Sequence, residues 1–231
     1  MSTKSTLVPS SPLAPSELVL LNGEQFANYR KWGEGGIKLL HLDAVVSVSQ
    51  LGEAILACAL LAAEAAGNLR FEVREDTTYF GLKIVKKLYA NPTPAPIEWP
   101  LYSLESQLPR LAKQSITTKE GPKVSNLIQI WLQKDSSDPW KTTIEMVKSG
   151  LAKRGLMKKR ESRYLWIFTV TDLTLPKKTL VLAKDQPIEP IKNLIANCKF
   201  KQRDIWDLLM KQIDQAIKAR TEETYYIPEQ Y

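Results

Sequence analysis

The stretch "GEAILACALLAAEAAGNLRFEV", residues 52–73, decides the fold. From 51 to 66 nearly every residue is apolar or small, so a helix here has no face suited to water. Such a helix belongs in the middle of a protein rather than on its surface. Its longest apolar run, 54–66, is about 13 residues. That is short of the roughly 20 a membrane-spanning helix needs. Gly67 and Asn68 then tolerate a left-handed helix cap. A strand is expected over 69–73, pairing with "TTYFGLKIV" across a turn at "REDT", 74–77.

Upstream, residues 1–16 are rich in Ser, Thr and Pro and read as a disordered tail. Folding is expected to start at "SELVLL", 16–21. Residues 22–36 mix aromatic, charged and glycine residues and choose no element. Downstream, "ANPTPAPIEWP" places four prolines between 92 and 100, which excludes helix and predicts an extended connection. Leu101, Leu104, Leu108 and Leu111 recur at helical spacing, with Pro109 expected to interrupt or end that helix. Val124, Leu127, Ile128 and Trp131 predict another.

Asp138 followed by Pro139 is a helix start, a capping side chain and then a proline at the first turn. Ile144, Val147 and Leu151 form the buried stripe and Gly155 ends the helix. Paired strands are expected at 163–170 and 179–183, around "DLTLPKK". Two helices follow Pro190, and "TEETYYIPEQY" closes the chain as an acidic tail. With 44% hydrophobic residues the chain can bury a substantial core, and its elements interleave closely. The expectation is a single, mainly α domain over 17–220 with small β-hairpins and a central buried helix, flanked by tails at 1–16 and 221–231.

The search for chemistry returns little. His41 is the single histidine and there is no Cys-x-x-Cys pair, so no metal centre is expected. "GEGGIKLL", 33–40, lacks the Gly-x4-Gly-Lys-Ser/Thr spacing of a phosphate loop. The acidic residues are dispersed, and no catalytic residues and no cofactor are proposed. Cys58 sits in an alanine/leucine run as a small core residue, and nothing in the cysteine usage suggests a secreted scaffold.

Charge carries the functional signal. The chain is +7 overall, which favours an anionic partner without naming one. Eight basic residues fall within 141–163, opposed by Glu145 and Glu161 alone. Of these, Lys141, Lys148, Lys153 and Arg154 are the candidates for a polyvalent phosphate, Arg for bidentate contacts and Lys for compact charge. The strand beyond them alternates Tyr164, Trp166, Phe168 and Val170 on one face with Leu165 and Ile167 on the other. Both faces need cover, from the core, from a second copy of the chain in a homo-oligomer, or from lipid.

At these residues the sequence resembles the Golgi phosphoprotein 3 family. "SELVLL" looks like its opening helix, "GEAILACALLAAEAAGNLRFE" its central hydrophobic helix, and "LYSLESQL" and "VSNLIQIWLQ" two further helices. "DPWKTTIEMVKSGLAKRGLM" with "RYLWIFTV" looks like its basic helix and apolar hairpin. The resemblance spans about 16–185. It implies a helical, non-enzymatic, peripheral membrane adaptor on the cytoplasmic side, one that binds phosphatidylinositol 4-phosphate and holds a protein client. Lys141 matches one basic headgroup position, but its neighbour one turn later is Ile144. The family's tryptophan and arginine fall near Ser47 and Leu56. What carries over is the scaffold and an affinity for anionic phospholipid or phosphoinositide surfaces. The runner-up is a winged-helix nucleic-acid binder, with the same lysines along phosphates. Against it, Thr142, Thr143, Glu145 and Ser149 are poor base readers.

Overall fold

A computed structural model describes residues 12–78, 83–94, 97–164 and 168–221, without the side chains at 77, 78, 83, 159–164 and 168–172. The central helix, α2, runs Val48–Ala65. Ser47 starts it, its Oγ accepting from the Gln50 N–H. Five further helices pack around α2: α1 (Pro15–Leu21), α3 (Leu104–Ile116), α5 (Pro139–Lys153), α7 (Glu189–Lys201) and α8 (Arg203–Ala219). Ile55, Leu56, Cys58, Leu60 and Leu61 are buried on different sides of α2, as a helix apolar all round requires. Its length and composition would also suit a bilayer, but most of its surface is covered by protein. α4 (Val124–Leu132) packs on α3 and α8, and α6 (Lys177–Lys184) on α1. The described residues are thus mainly helical, with three two-stranded antiparallel sheets.

The same device ends α2 and α5. The Asn68 N–H reaches back to Ala63 O and the Gly67 N–H to Glu64 O. At α5 the Leu156 N–H bonds Leu151 O and the Gly155 N–H bonds Ala152 O. Each is the double bond of a Schellman cap, which needs a left-handed residue, and Gly67 and Gly155 have φ of 75° and 72°. Each cap delivers the chain into a strand pair: β3 (Leu69–Thr78) with β4 (Lys83–Pro92), and β5 (Lys158–Tyr164) with β6 (Phe168–Thr174). A short pair, β1 (Gly36–Lys38) with β2 (Val45–Ser47), precedes α2.

Several expectations need correction. "REDT" is not a turn: β3 continues through it, with Arg74 opposite Lys87 and Asp76 opposite Val85. Pro109 does not end α3, which runs on to Ile116. Burial of Leu104, Leu108, Leu111 and Ala112 outweighs the one lost backbone bond, a local cost of about 3 kcal/mol. The strand expected at 163–170 is two strands, with Tyr164 paired to Phe168, and 179–183 lies in helix α6. The expected disordered tail ends earlier than residue 16, because Leu13, Ala14 and Ser16 are all in the core. The remainder of that tail, 1–11, and residues 222–231 lie outside the described residues.

α2 and α5 run in the same sense. Gly52, one turn into α2, lies against the ring of Trp140 at the start of α5. At the other ends, Asn68 follows α2 and holds the 97–102 segment. Its Nδ2 donates to Ile97 O at 2.6 Å, and its Oδ1 accepts from Trp99 Nε1 at 3.1 Å. That segment then meets the last part of α5 at Gly150.

Candidate functional site

The four basic candidates do not converge. Asp138 caps α5 through the Lys141 N–H at 3.0 Å, and the Lys141 side chain is exposed at that first turn. It lines a shallow pocket with Ser136, Thr142 and Ser149. Lys153 is exposed at the last turn, twelve residues on, which is roughly 18 Å along the axis. Lys148 is buried between them, with its Nζ 2.7 Å from Glu145 Oε1. Arg154 turns inward: its Nη2 pairs with Glu17 and its Nη1 donates to Pro12 O at 2.8 Å. Arg154 therefore ties the end of α5 to the start of α1.

Two buried carboxyls stand behind that tie. Glu17 is fully buried and accepts from the Ala14 N–H at 2.8 Å. Burial raises its pKa against the pull of Arg154. Glu105, also fully buried, accepts from the Ser16 N–H at 2.7 Å and the Ser16 hydroxyl at 2.8 Å. Burial, with Glu17 adding to it, pushes the Glu105 carboxyl up to about 7. These groups join α1, α3 and α5 and are structural.

The structure assembles a different basic surface at the C-terminal end of α5. Lys153 and Lys158 flank the Gly155 turn. The start of α6 comes alongside, its Thr179 hydroxyl donating to Leu156 O at 2.8 Å. That brings exposed Lys177 and Lys178 to the base of the β5–β6 pair. On the Lys153 side, Leu101 is 72% and Tyr102 51% exposed. Lys153 Nζ stands 5.3 Å from the Tyr102 ring centroid, within cation–π range. Tyr102 has φ 63°, an unusual conformation for a bulky residue. Its carbonyl lies so close to Gly150 that a Cβ there would overlap it.

Sequence reasoning missed this arrangement. The strand pairing expected around "DLTLPKK" puts Lys177 and Lys178 in a turn, although Pro176 followed by "KKTLVLAK" carries a helix-start signal. No sequence signal announces the left-handed Tyr102. Trp166 and the side chains of Tyr164 and Phe168, expected to meet a membrane or a second copy, lie outside what is described. Elsewhere, His41 is largely buried with Nε2 3.7 Å from Glu24 Oε2, and Cys58 and Cys198 are buried thiols. Among the described residues no group of three or more His, Cys, Asp or Glu could hold a metal ion.

No family model, no curated protein and no solved structure matches the chain.

Proposed function

We propose that this chain is a non-enzymatic peripheral membrane protein of cytoplasmic membrane surfaces. It docks on anionic phospholipid through the C-terminal end of α5. One observation carries the reading: exposed Lys153 stands over the exposed Tyr102 ring, and exposed Lys158, Lys177 and Lys178 surround the turn that follows Lys153. Cations over apolar and aromatic side chains suit the boundary between headgroups and acyl chains. The +7 net charge and the resemblance to the Golgi phosphoprotein 3 family support the same reading.

Co-sedimentation of the full chain with phosphatidylcholine vesicles, with and without phosphatidylserine, tests it. Binding is expected only with the anionic lipid and weakens with added salt. Each lysine near such a surface contributes about 1 kcal/mol, so Lys153→Ala, Lys177→Ala and Lys178→Ala together cost roughly a hundredfold in affinity. Failure to bind either vesicle sinks the reading. So does tight duplex DNA binding with a steep salt dependence and indifference to vesicles.

A further inference from the structure

At the N-terminal end of α2 the chain presents two projecting aromatic tips that the surface described above does not include. The first is "YRKW", 29–32. Its stem is fixed to the fold. The Asn28 N–H donates to Gln50 Oε1 at 2.8 Å and the Arg30 N–H to Val45 O at 3.0 Å. Beyond the stem, Trp32 is 102% and Tyr29 64% exposed, and Arg30 and Lys31 are exposed beside them. The second tip is the elbow between α7 and α8, "KFKQR", 199–203. There Phe200 is 77% exposed between exposed Lys199 and Lys201.

The two tips are neighbours. Phe26 and Gln50, at the root of the first, line the same cleft of about 460 Å³ as Lys199 and Phe200 of the second. Trp206 and Met210 form part of its apolar wall. Single exposed apolar residues are ordinary on a protein surface. Here Phe200 lines the cleft, Trp32 is exposed on the loop whose root lines it, and each ring is flanked by cations. Arg30, Lys31, Lys199 and Lys201 have no ion pair among the described residues. The acidic groups nearby include Glu34, Glu53, Asp204, Asp207 and Asp214, of which Asp207 pairs with Arg203 at 3.8 Å and Asp214 with Lys218 at 2.7 Å. A tryptophan tip with flanking cations matches the bilayer interface, where the ring sits at headgroup depth and the cations meet phosphate.

We propose that the 29–32 loop and the α7–α8 elbow form a second membrane-docking surface, with Trp32 and Phe200 entering the interface of an anionic bilayer. It lies by Glu53, while the α5-end surface lies beyond Asn68, fifteen residues and roughly 22 Å further along α2. The chain therefore carries an anion-seeking surface at each end of its central helix and can join two bilayers. This extends the membrane reading above, yet rests on different residues.

The test uses the full chain and phosphatidylcholine vesicles with and without phosphatidylserine. It measures co-sedimentation, vesicle clustering by light scattering, and the emission shift of tryptophan. Trp32→Ala with Phe200→Ala is the variant, and unchanged circular dichroism and melting verify its fold, since both rings are outside the core. Expected are a loss of about tenfold or more in affinity for anionic vesicles, loss of clustering, and loss of the blue shift. Wild-type binding and clustering by the folded variant would overturn the proposal. So would an effect confined to single-stranded RNA, whose bases also stack on tryptophan. If the alanine variant of Lys153, Lys177 and Lys178 binds normally while Trp32→Ala/Phe200→Ala does not, the α5-end reading falls and this one stands.

Discussion

Replacing Glu105 by Gln should stabilise the protein at pH 8 and do little at pH 4. The Glu105 carboxyl is fully buried and its pKa is pushed from 4.5 to about 7 by burial, with Glu17 nearby adding to the effect. The unfolded chain releases this proton near 4.5, whereas the folded protein holds it to about 7. Between those values the unfolded state binds fewer protons, so stability falls as pH rises, and above 7 the loss is complete. At about 1.4 kcal/mol per pH unit, the carboxylate costs about 3 kcal/mol at pH 8 and almost nothing at pH 4. Gln reproduces the protonated acid in shape. Its Oε1 can accept the Ser16 N–H, and the Ser16 hydroxyl can turn to accept from Nε2, replacing the contacts at 2.7 and 2.8 Å. Urea unfolding of both proteins at the two pH values measures the effect. The expected gain at pH 8 is about 3 kcal/mol, shrinking to near zero at pH 4. An equal change at both pH values, or a loss at pH 8, would show that Glu105 is not a buried acid poised near neutrality.

Two further changes separate stability from docking. Tyr102→Gly relieves a φ of 63° and should raise stability by about 1 kcal/mol in thermal unfolding, while weakening anionic-vesicle binding through loss of the ring beside Lys153. Lys148→Glu places a second negative charge beside Glu145 at a buried position. It should cost about 2 kcal/mol of stability by urea unfolding, and any binding loss should track unfolding alone.

How much of this was legible in the sequence follows the range of the forces involved. The central helix, the Asp138-Pro139 start and the glycine ends at 67 and 155 are set by residues within one turn of one another, so local pattern suffices. The passage of α3 through Pro109 was not legible, because packing of its leucines against other helices overrides a local penalty. The basic cluster was legible as composition but not as geometry. Lys148 has Glu145 one turn before it, a pairing the helical spacing already offers, but Arg154 looks like a free cation in the chain, and only the fold sets buried Glu17 beside it.

The sequence by itself determined a helical protein with a buried centre and an excess of positive charge, because apolar content, capping residues and net charge are properties of the chain. Tertiary structure alone decided which charges face outward. Arg154 is drawn inward by a carboxylate 137 residues away, and Lys177 and Lys178 are carried to Lys158 by the packing of α6. Phe26 and Phe200, 174 positions apart, come to line one cleft for the same reason: residues so far apart in the chain meet only when the core between them has formed.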